Sequence, residues 1–128
     1  MYYIVESDKS FNQASTDLES AVMHHGFGVL QVQDLATTLR SKGIAFDEEY
    51  KVFEVCNLGQ NNKNVSSNDI GLNMELPCLI SVFTEKDTTK FGLIKSEQML
   101  SALSQDAALL KVAKALEEKT IQMIEEAK

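Results

Sequence analysis

The chain contains no long run of apolar residues. None of its apolar stretches approaches the roughly 20 residues that a membrane-spanning helix needs. Its first residues, Met1–Val5, have no basic leader, no long apolar stretch and no cleavage site of small residues, and they are typical of a strand and not of a signal peptide. We therefore expect a cytoplasmic location without membrane association. In that compartment the two cysteines of the chain are expected as thiols and not as a structural disulfide.

Basic residues are few and scattered. The 128 residues include 12 lysines and arginines against 19 aspartates and glutamates, which gives a formal net charge of −7. This average field repels a nucleic-acid backbone or an anionic membrane surface, and no local cluster of lysine or arginine opposes it. Nucleic-acid binding is therefore not expected.

Motifs of classical catalysis are missing. The chain has no nucleophile elbow, no phosphate-binding loop and no glycine-rich dinucleotide fingerprint, and the short run Gly26–Gly28 is typical of a helix cap that leads into a strand. A triad enzyme would also need a positioned base, and no serine has an evident histidine partner. These absences argue against hydrolase or transferase chemistry, and the sequence identifies no cofactor.

What is present suffices for one core. Hydrophobic residues make up 44% of the chain and charged residues 24%, both ordinary for a globular protein, and residues 1–128 are expected to form a single domain. Stretches rich in β-branched and aromatic residues predict five strands, which are Tyr2–Val5, Phe27–Val32, Tyr50–Cys56, Cys78–Phe83 and Lys90–Ile94.

Helical spacing of apolar residues predicts two main helices, one from Phe11 to His25 and one that opens at Ser104. Shorter helices are predicted over Leu35–Lys42 and Ser96–Leu103, and the asparagine-rich segment Asn57–Asn68 is predicted to be a loop. The main elements follow the order β-α-β4-α, without the strict alternation of a parallel βαβ fold. This order predicts an α+β protein with a five-stranded, mostly antiparallel sheet and two main helices packed on one face.

Local signals define the ends of the helices. Ser10 and Gln13 have the spacing of a capping box, in which the Ser10 hydroxyl accepts from the Gln13 amide while the Gln13 side chain reaches back. Gly26 and Gly43 follow predicted helices as left-handed caps, a conformation that glycine adopts without the cost of a Cβ atom.

Three segments together carry a resemblance to a known family. They are His25–Leu30 (HGFGVL), Val55–Asn57 (VCN) and Leu76–Cys78 (LPC), and in this order they resemble domain-of-unknown-function family 302. The resemblance spans roughly Phe11 to Leu103. It implies an arrangement like that of the TATA-box-binding protein, with a five-stranded antiparallel sheet and two main helices, and it implies a homodimer. It implies no established activity.

The chain departs from this family pattern after Cys56. Leu58 stands where the family has a proline after Cys-Asn, and the stretch that follows is rich in asparagine where family members have a helical segment with alanine and leucine.

The two cysteines are the strongest candidates for chemical reactivity in the sequence. Cys56 ends one predicted strand and Cys78 begins the next, so antiparallel neighbours would bring both thiols to one end of the sheet, within disulfide range if they paired directly. Asn57 and Glu75 flank this end, and a nearby carboxylate would raise a thiol pKa. The alternative is that both cysteines are small buried hydrophobes, the usual role of a cysteine in a strand.

The two histidines are adjacent in the chain. Helical spacing predicts that His25 lies on the apolar face of its helix and His24 on the polar face, so that they do not enter one site. His25 together with Cys56 and Cys78 would form a three-ligand set suited to zinc or copper. A satisfied core histidine near a helix end is the alternative.

These observations favour a small dimeric binding or interaction module. Phe83 and Phe91 lie on neighbouring strands of a predicted hairpin, and the sheet has helices enough to cover one face. The uncovered face, if apolar, would take a second copy or a small apolar ligand. The alternative is a thiol-dependent function, in redox chemistry, sulfur transfer or metal binding, at Cys56 and Cys78.

Overall fold

The computed structural model of the chain describes residues 2–57, 78–94 and 107–128. The helix predicted over Ser96–Leu103 and residues 58–68 of the asparagine-rich loop lie outside this range. The elements are β1 (Tyr2–Ser7), α1 (Phe11–His24), β2 (Phe27–Asp34), α2 (Leu35–Ser41), β3 (Tyr50–Asn57), β4 (Cys78–Glu85), β5 (Thr88–Ile94) and α3 (Ala107–Ala127).

The five strands form one antiparallel sheet in the order β1-β5-β4-β3-β2. This confirms the predicted α+β class and the five-stranded antiparallel sheet. β4 lies at the centre, and β1 and β2 are the edge strands. A bulge at Leu30 interrupts the pairing of β2 with β3 between Val29 and Gln31.

Helix α1 begins and ends largely as its sequence predicts. The Ser10 side chain accepts a hydrogen bond from the Gln13 amide at 3.1 Å, but the other half of the capping box is wrong, because the Gln13 side chain donates to Asp17 at 2.8 Å. Gly26 follows the helix with a φ of 78°, the left-handed conformation that glycine makes inexpensive.

The turn between β4 and β5 holds two residues other than glycine in the left-handed region of backbone conformation. Lys86 and Asp87 have φ angles of 51° and 69°. Two successive positive φ angles match the twist of antiparallel strands in a tight hairpin.

The core lies between one face of the sheet and the helices. Alternate residues of the central strands point into it, among them Phe53, Ile80 and Phe91, while α1 supplies Leu18 and Val22 and α3 supplies Met123 and Ile124. Phe83 and Phe91 lie on neighbouring strands of a hairpin, as predicted, but on opposite faces, because Phe83 pairs with Lys90 while Phe91 belongs to the core.

The end of α3 is tied to the beginning of the chain. The Ser7 hydroxyl donates to the carbonyl of Lys128 at 3.0 Å, Lys9 Nζ donates to the carbonyl of Ala127 at 2.8 Å, and the Tyr3 hydroxyl donates to the Glu125 carboxylate. These bonds hold the C-terminal turn of α3 beside β1 and the start of α1. No helix within the described ranges is long and apolar enough to cross a membrane.

The position of Leu18 yields a test of this packing. Its side chain is fully buried, whereas Met23 on the same helix is 72% exposed. We expect Leu18→Ala to lower the free energy of unfolding by about 3 kcal/mol, because it removes buried methyl groups and leaves a cavity. Met23→Ala is the matched control and should change this free energy by less than about 0.5 kcal/mol. Urea unfolding followed by circular dichroism measures both, and equal midpoints would contradict the packing of α1.

Candidate functional site

Cys78 lies in the core. Its side chain is buried against the helices, and the Thr120 hydroxyl of α3 donates to its Sγ at 3.2 Å and to the carbonyl of Leu116 at 2.7 Å. Burial raises the pKa of the Cys78 thiol, an effect that the hydrogen bond from Thr120 opposes. A protonated thiol in apolar surroundings is a weak nucleophile and a poor metal ligand.

Cys56 lies on the other face of the sheet. The strand partner of Cys78 is Val55, and the partner of Cys56 on β2 is Gly28. Because successive side chains of a strand point to opposite faces, the thiol of Cys56 points away from the core. It is half-buried, and its pKa is raised by burial and then by the negative charge of Glu54.

The two cysteines are thus neighbours in the sheet but not partners. The prediction that they share one end of two antiparallel strands is confirmed, whereas direct pairing is wrong by one residue. Both are free thiols on opposite faces of the sheet. A disulfide between them would require one of the two strands to turn its side chains to the other face. The side chain of Asn57 and all of Glu75 lie outside the described residues.

The open face of the sheet, which the helices of the described ranges leave uncovered, carries a shallow groove of about 370 Å³. Ile4 and Leu79 are 55% and 46% exposed beside it, and Tyr50 and Phe83 stack with their ring centroids 5.5 Å apart. The residues that line it are Ile4, Tyr50, Val52, Leu79, Ser81, Phe83, Gly92 and Leu93. None of them is charged.

Gly92 forms the floor of this groove. A Cβ atom at this position would lie 3.5 Å from the Phe83 ring and 3.8 Å from the Ser81 Cβ, which is ordinary van der Waals contact. The absence of a side chain therefore deepens the groove and serves no conformational need. The hydroxyls of Tyr50 and Ser81, 3.4 Å apart, are its polar groups.

A second depression of about 280 Å³ continues the groove towards β2. It shares Val52 and Leu79 with the first and adds Gln31, Gln33 and Glu54. The open face therefore changes from apolar near β1 to polar near β2. The sequence could have revealed this face through the alternation along β3 and β4, but not the depth that Gly92 creates.

The histidines form a separate cluster with the C-terminal turn of α3. His24 Nδ1 lies 3.0 Å and His25 Nε2 3.3 Å from the carboxylate oxygens of Glu126. The prediction that helical spacing keeps the imidazoles apart is wrong, because His25 is the C-cap of α1, beyond the helical residues to which that spacing applies. Within the described ranges this is the one group of three such side chains with all ligand atoms within 4.8 Å, and His25 forms no such group with Cys56 and Cys78.

The comparisons with known proteins point to a single family. The family model described as domain of unknown function DUF302 matches residues 3–127 of the chain. The crystal structure of an uncharacterized conserved DUF302 protein from Bacillus stearothermophilus is similar to this one, with a TM-score of 0.85 and 28% sequence identity over 99% of this chain and 98% of that chain. No curated protein matches the chain.

The placement of the thiols predicts their reactivity. In the native protein at pH 8 a disulfide reagent should modify Cys56 alone, and more slowly than free cysteine, because the pKa of this thiol lies above its ordinary value of 9.0. The rate should rise as the pH increases through that range, since the thiolate is the reacting form. Cys78 should react only after denaturant is added.

Two variants check the assignment. Cys56→Ser should abolish the native reaction, and Cys78→Ser should leave it in place. Equal native reactivity of the two thiols would contradict their placement on opposite faces.

Proposed function

The chain belongs to the family described as domain of unknown function DUF302, and we propose that it acts as a homodimeric interaction module whose working surface is the open face of its sheet. The observation that supports this most directly is the uncharged groove on a face that the described helices leave uncovered. In a chain in which charged residues make up 24%, a lining of eight residues without a charge is suited to burial.

Self-association through this face is favoured over association through the β2 edge of the sheet. The bulge in β2 between Val29 and Gln31 disrupts the regular row of hydrogen-bonding groups that edge-to-edge pairing requires. An isologous dimer places the same patch of each copy in contact. Two copies that each carry a net charge of −7 would meet there with no like charges at the centre of the contact.

The face is large enough for such a contact. A sheet of five strands with about seven residues each measures roughly 24 by 23 Å, or about 550 Å² in projection. The accessible area of the side chains exceeds this projection, and a stable interface buries about 800 Å² on each partner. The open face is therefore comparable in size with a complete interface.

A charge placed in the groove should separate two copies. Leu79→Lys puts an ammonium group at the centre of the proposed interface, where its desolvation is costly, so we expect a monomer of 14.2 kDa where the unmodified protein is a dimer. Met23→Lys, at an exposed apolar position of α1, is the matched control and should remain dimeric. Size-exclusion chromatography with light scattering measures the mass. An unmodified protein that stays monomeric at high concentration, or a dimeric Leu79→Lys variant, would refute the proposal.

A small uncharged apolar ligand is the second candidate. It is favoured by the two hydroxyls beside an apolar groove whose volume lies within the usual range of about 300–1,000 Å³ for ligand sites. The groove is open, and a bound molecule would keep much of its surface in water unless a second copy covered it. For this reason the dimer is the first choice.

Gly92→Ala tests the ligand candidate. The added methyl group fills the floor of the groove without a close contact, so it should weaken binding of the neutral dye Nile red at least several-fold. Alanine in place of a strand glycine should leave the free energy of unfolding equal or higher by up to about 1 kcal/mol. A monomeric protein that binds the dye stoichiometrically and loses it on this substitution would favour the ligand over the dimer.

The thiol-dependent alternative has less support. Redox or sulfur-transfer chemistry with two cooperating thiols would need Cys56 and Cys78 on the same face. The cytoplasmic location and the lack of nucleic-acid binding stay predictions from the sequence.

A further inference from the structure

The C-terminal ends of α1 and α3 bring two imidazoles and one carboxylate together. His24 is the last residue of α1, His25 is its C-cap and Glu126 lies in the final turn of α3. His24 Nδ1 is 3.0 and 3.1 Å from the two carboxylate oxygens of Glu126, and His25 Nε2 is 3.3 Å from one of them. The two imidazole rings meet edge to face and are not stacked, with an interplanar angle of 64°.

One nitrogen of this cluster lacks a hydrogen bond. Among the described residues His25 Nε2 is the buried side-chain nitrogen or oxygen without a hydrogen-bond partner, although the Glu126 oxygen lies within 3.3 Å of it. This distance is short enough for a hydrogen bond, so the bond is missing because the imidazole ring is not oriented towards the carboxylate oxygen. Buried polar atoms are nearly always satisfied, and a lone pair that does not point at the neighbouring oxygen is free for another partner.

The spacing of the three groups is compatible with a shared ion. Nitrogen and oxygen ligands bind zinc at about 2.0–2.1 Å in a tetrahedral arrangement, which places ligand atoms roughly 3.4 Å from one another. The two measured distances to Glu126 are 3.0 and 3.3 Å, and all ligand atoms of the cluster lie within 4.8 Å. Side-chain rotations that bring the farthest pair of ligand atoms from at most 4.8 Å to roughly 3.4 Å complete the geometry.

The electrostatic surroundings favour a cation. The carbonyl ends of two helices meet at the cluster, and each carries a partial negative charge. The backbone around Glu126 is also held in place, because Lys9 and Ser7 bind the two carbonyls that follow it.

We infer that His24, His25 and Glu126 form a binding site for one divalent transition-metal ion. Two imidazole nitrogens and one carboxylate oxygen are a donor set that zinc accepts, with a fourth position left for water. The side chains of His24 and Glu126, 73% and 41% exposed, leave that position open to solvent, whereas His25, 15% exposed, forms the inner wall. The site lies at the helix ends, apart from the groove on the open face of the sheet.

Calorimetric titration of tag-free protein with zinc chloride at pH 7.5 tests the site. We expect one ion for each chain and a loss of affinity of at least tenfold in Glu126→Gln, which removes the charged ligand and keeps the side-chain shape. Glu125→Gln is the matched control, because Glu125 is the adjacent residue with nearly the same exposure, 42% against 41%, and loses the same charge. Its zinc affinity should stay within about twofold of the unmodified protein.

Spectra of the cobalt(II)-substituted protein identify the ligands. Coordination by nitrogen and oxygen gives weak visible bands of cobalt without the intense sulfur-to-metal charge transfer that a thiolate would add. His24→Asn and His25→Asn should each abolish these bands, and since the chain has two histidines, no other imidazole can replace them. Circular dichroism confirms that each variant is folded.

Three results would overturn the inference. They are the absence of zinc binding by the folded unmodified protein, equal loss of affinity in the Glu125 and Glu126 variants, and a strong charge-transfer band that disappears in Cys56→Ser. Without zinc binding, the cluster would be only an ion pair between histidine and Glu126. Equal losses in the two glutamate variants would show a general effect of surface charge. A charge-transfer band that depends on Cys56 would identify a thiol as the metal ligand.

Discussion

The packing of two long helices against a single face of the sheet determines most of what this chain can do. Phe53, Ile80 and Phe91 can be buried on that face because α1 and α3 cover it. The same coverage leaves the opposite face open, with the groove beside Ile4 and Leu79. It also brings the C-terminal ends of both helices together, and the histidine–glutamate cluster exists only because they meet.

The elements were largely visible in the sequence because local physics determines them. Ser10 accepts the capping hydrogen bond, Gly26 and Gly43 adopt positive φ angles, and the buried positions of α1 follow its helical spacing. Each of these features depends on residues within a few positions of one another. The order of the elements then favoured the antiparallel sheet, since strands and helices do not alternate strictly along the chain as they do in a parallel βαβ fold.

The candidate sites were harder to predict because they depend on the relation between distant segments. The ends of β3 and β4 can be found from the sequence, but an offset of one residue in their pairing moves a side chain to the other face. That offset places Cys56 and Cys78 on opposite faces of the sheet. In the same way, the pairing of β4 with β5 matches Phe83 with Lys90, and Phe83 and Phe91 therefore lie on opposite faces. Similarly, His25 departs from helical spacing because the helix ends one residue earlier, and nothing near it in the chain indicates that Glu126 lies beside it.

The order of strands in the sheet has a consequence for folding during synthesis on the ribosome. β1 is synthesised before the other four strands, yet its pairing partner is β5. Tyr3, for example, can pair only after Leu93 has been synthesised. Contacts between such distant residues form late, because a long loop must close before they can form. Until then β1 exposes an unpaired strand edge of the kind that promotes misassembly. Of the five strands, β1 is therefore synthesised before the others but is among the last to pair. The time during which its edge stays unpaired depends on how quickly β5 is translated.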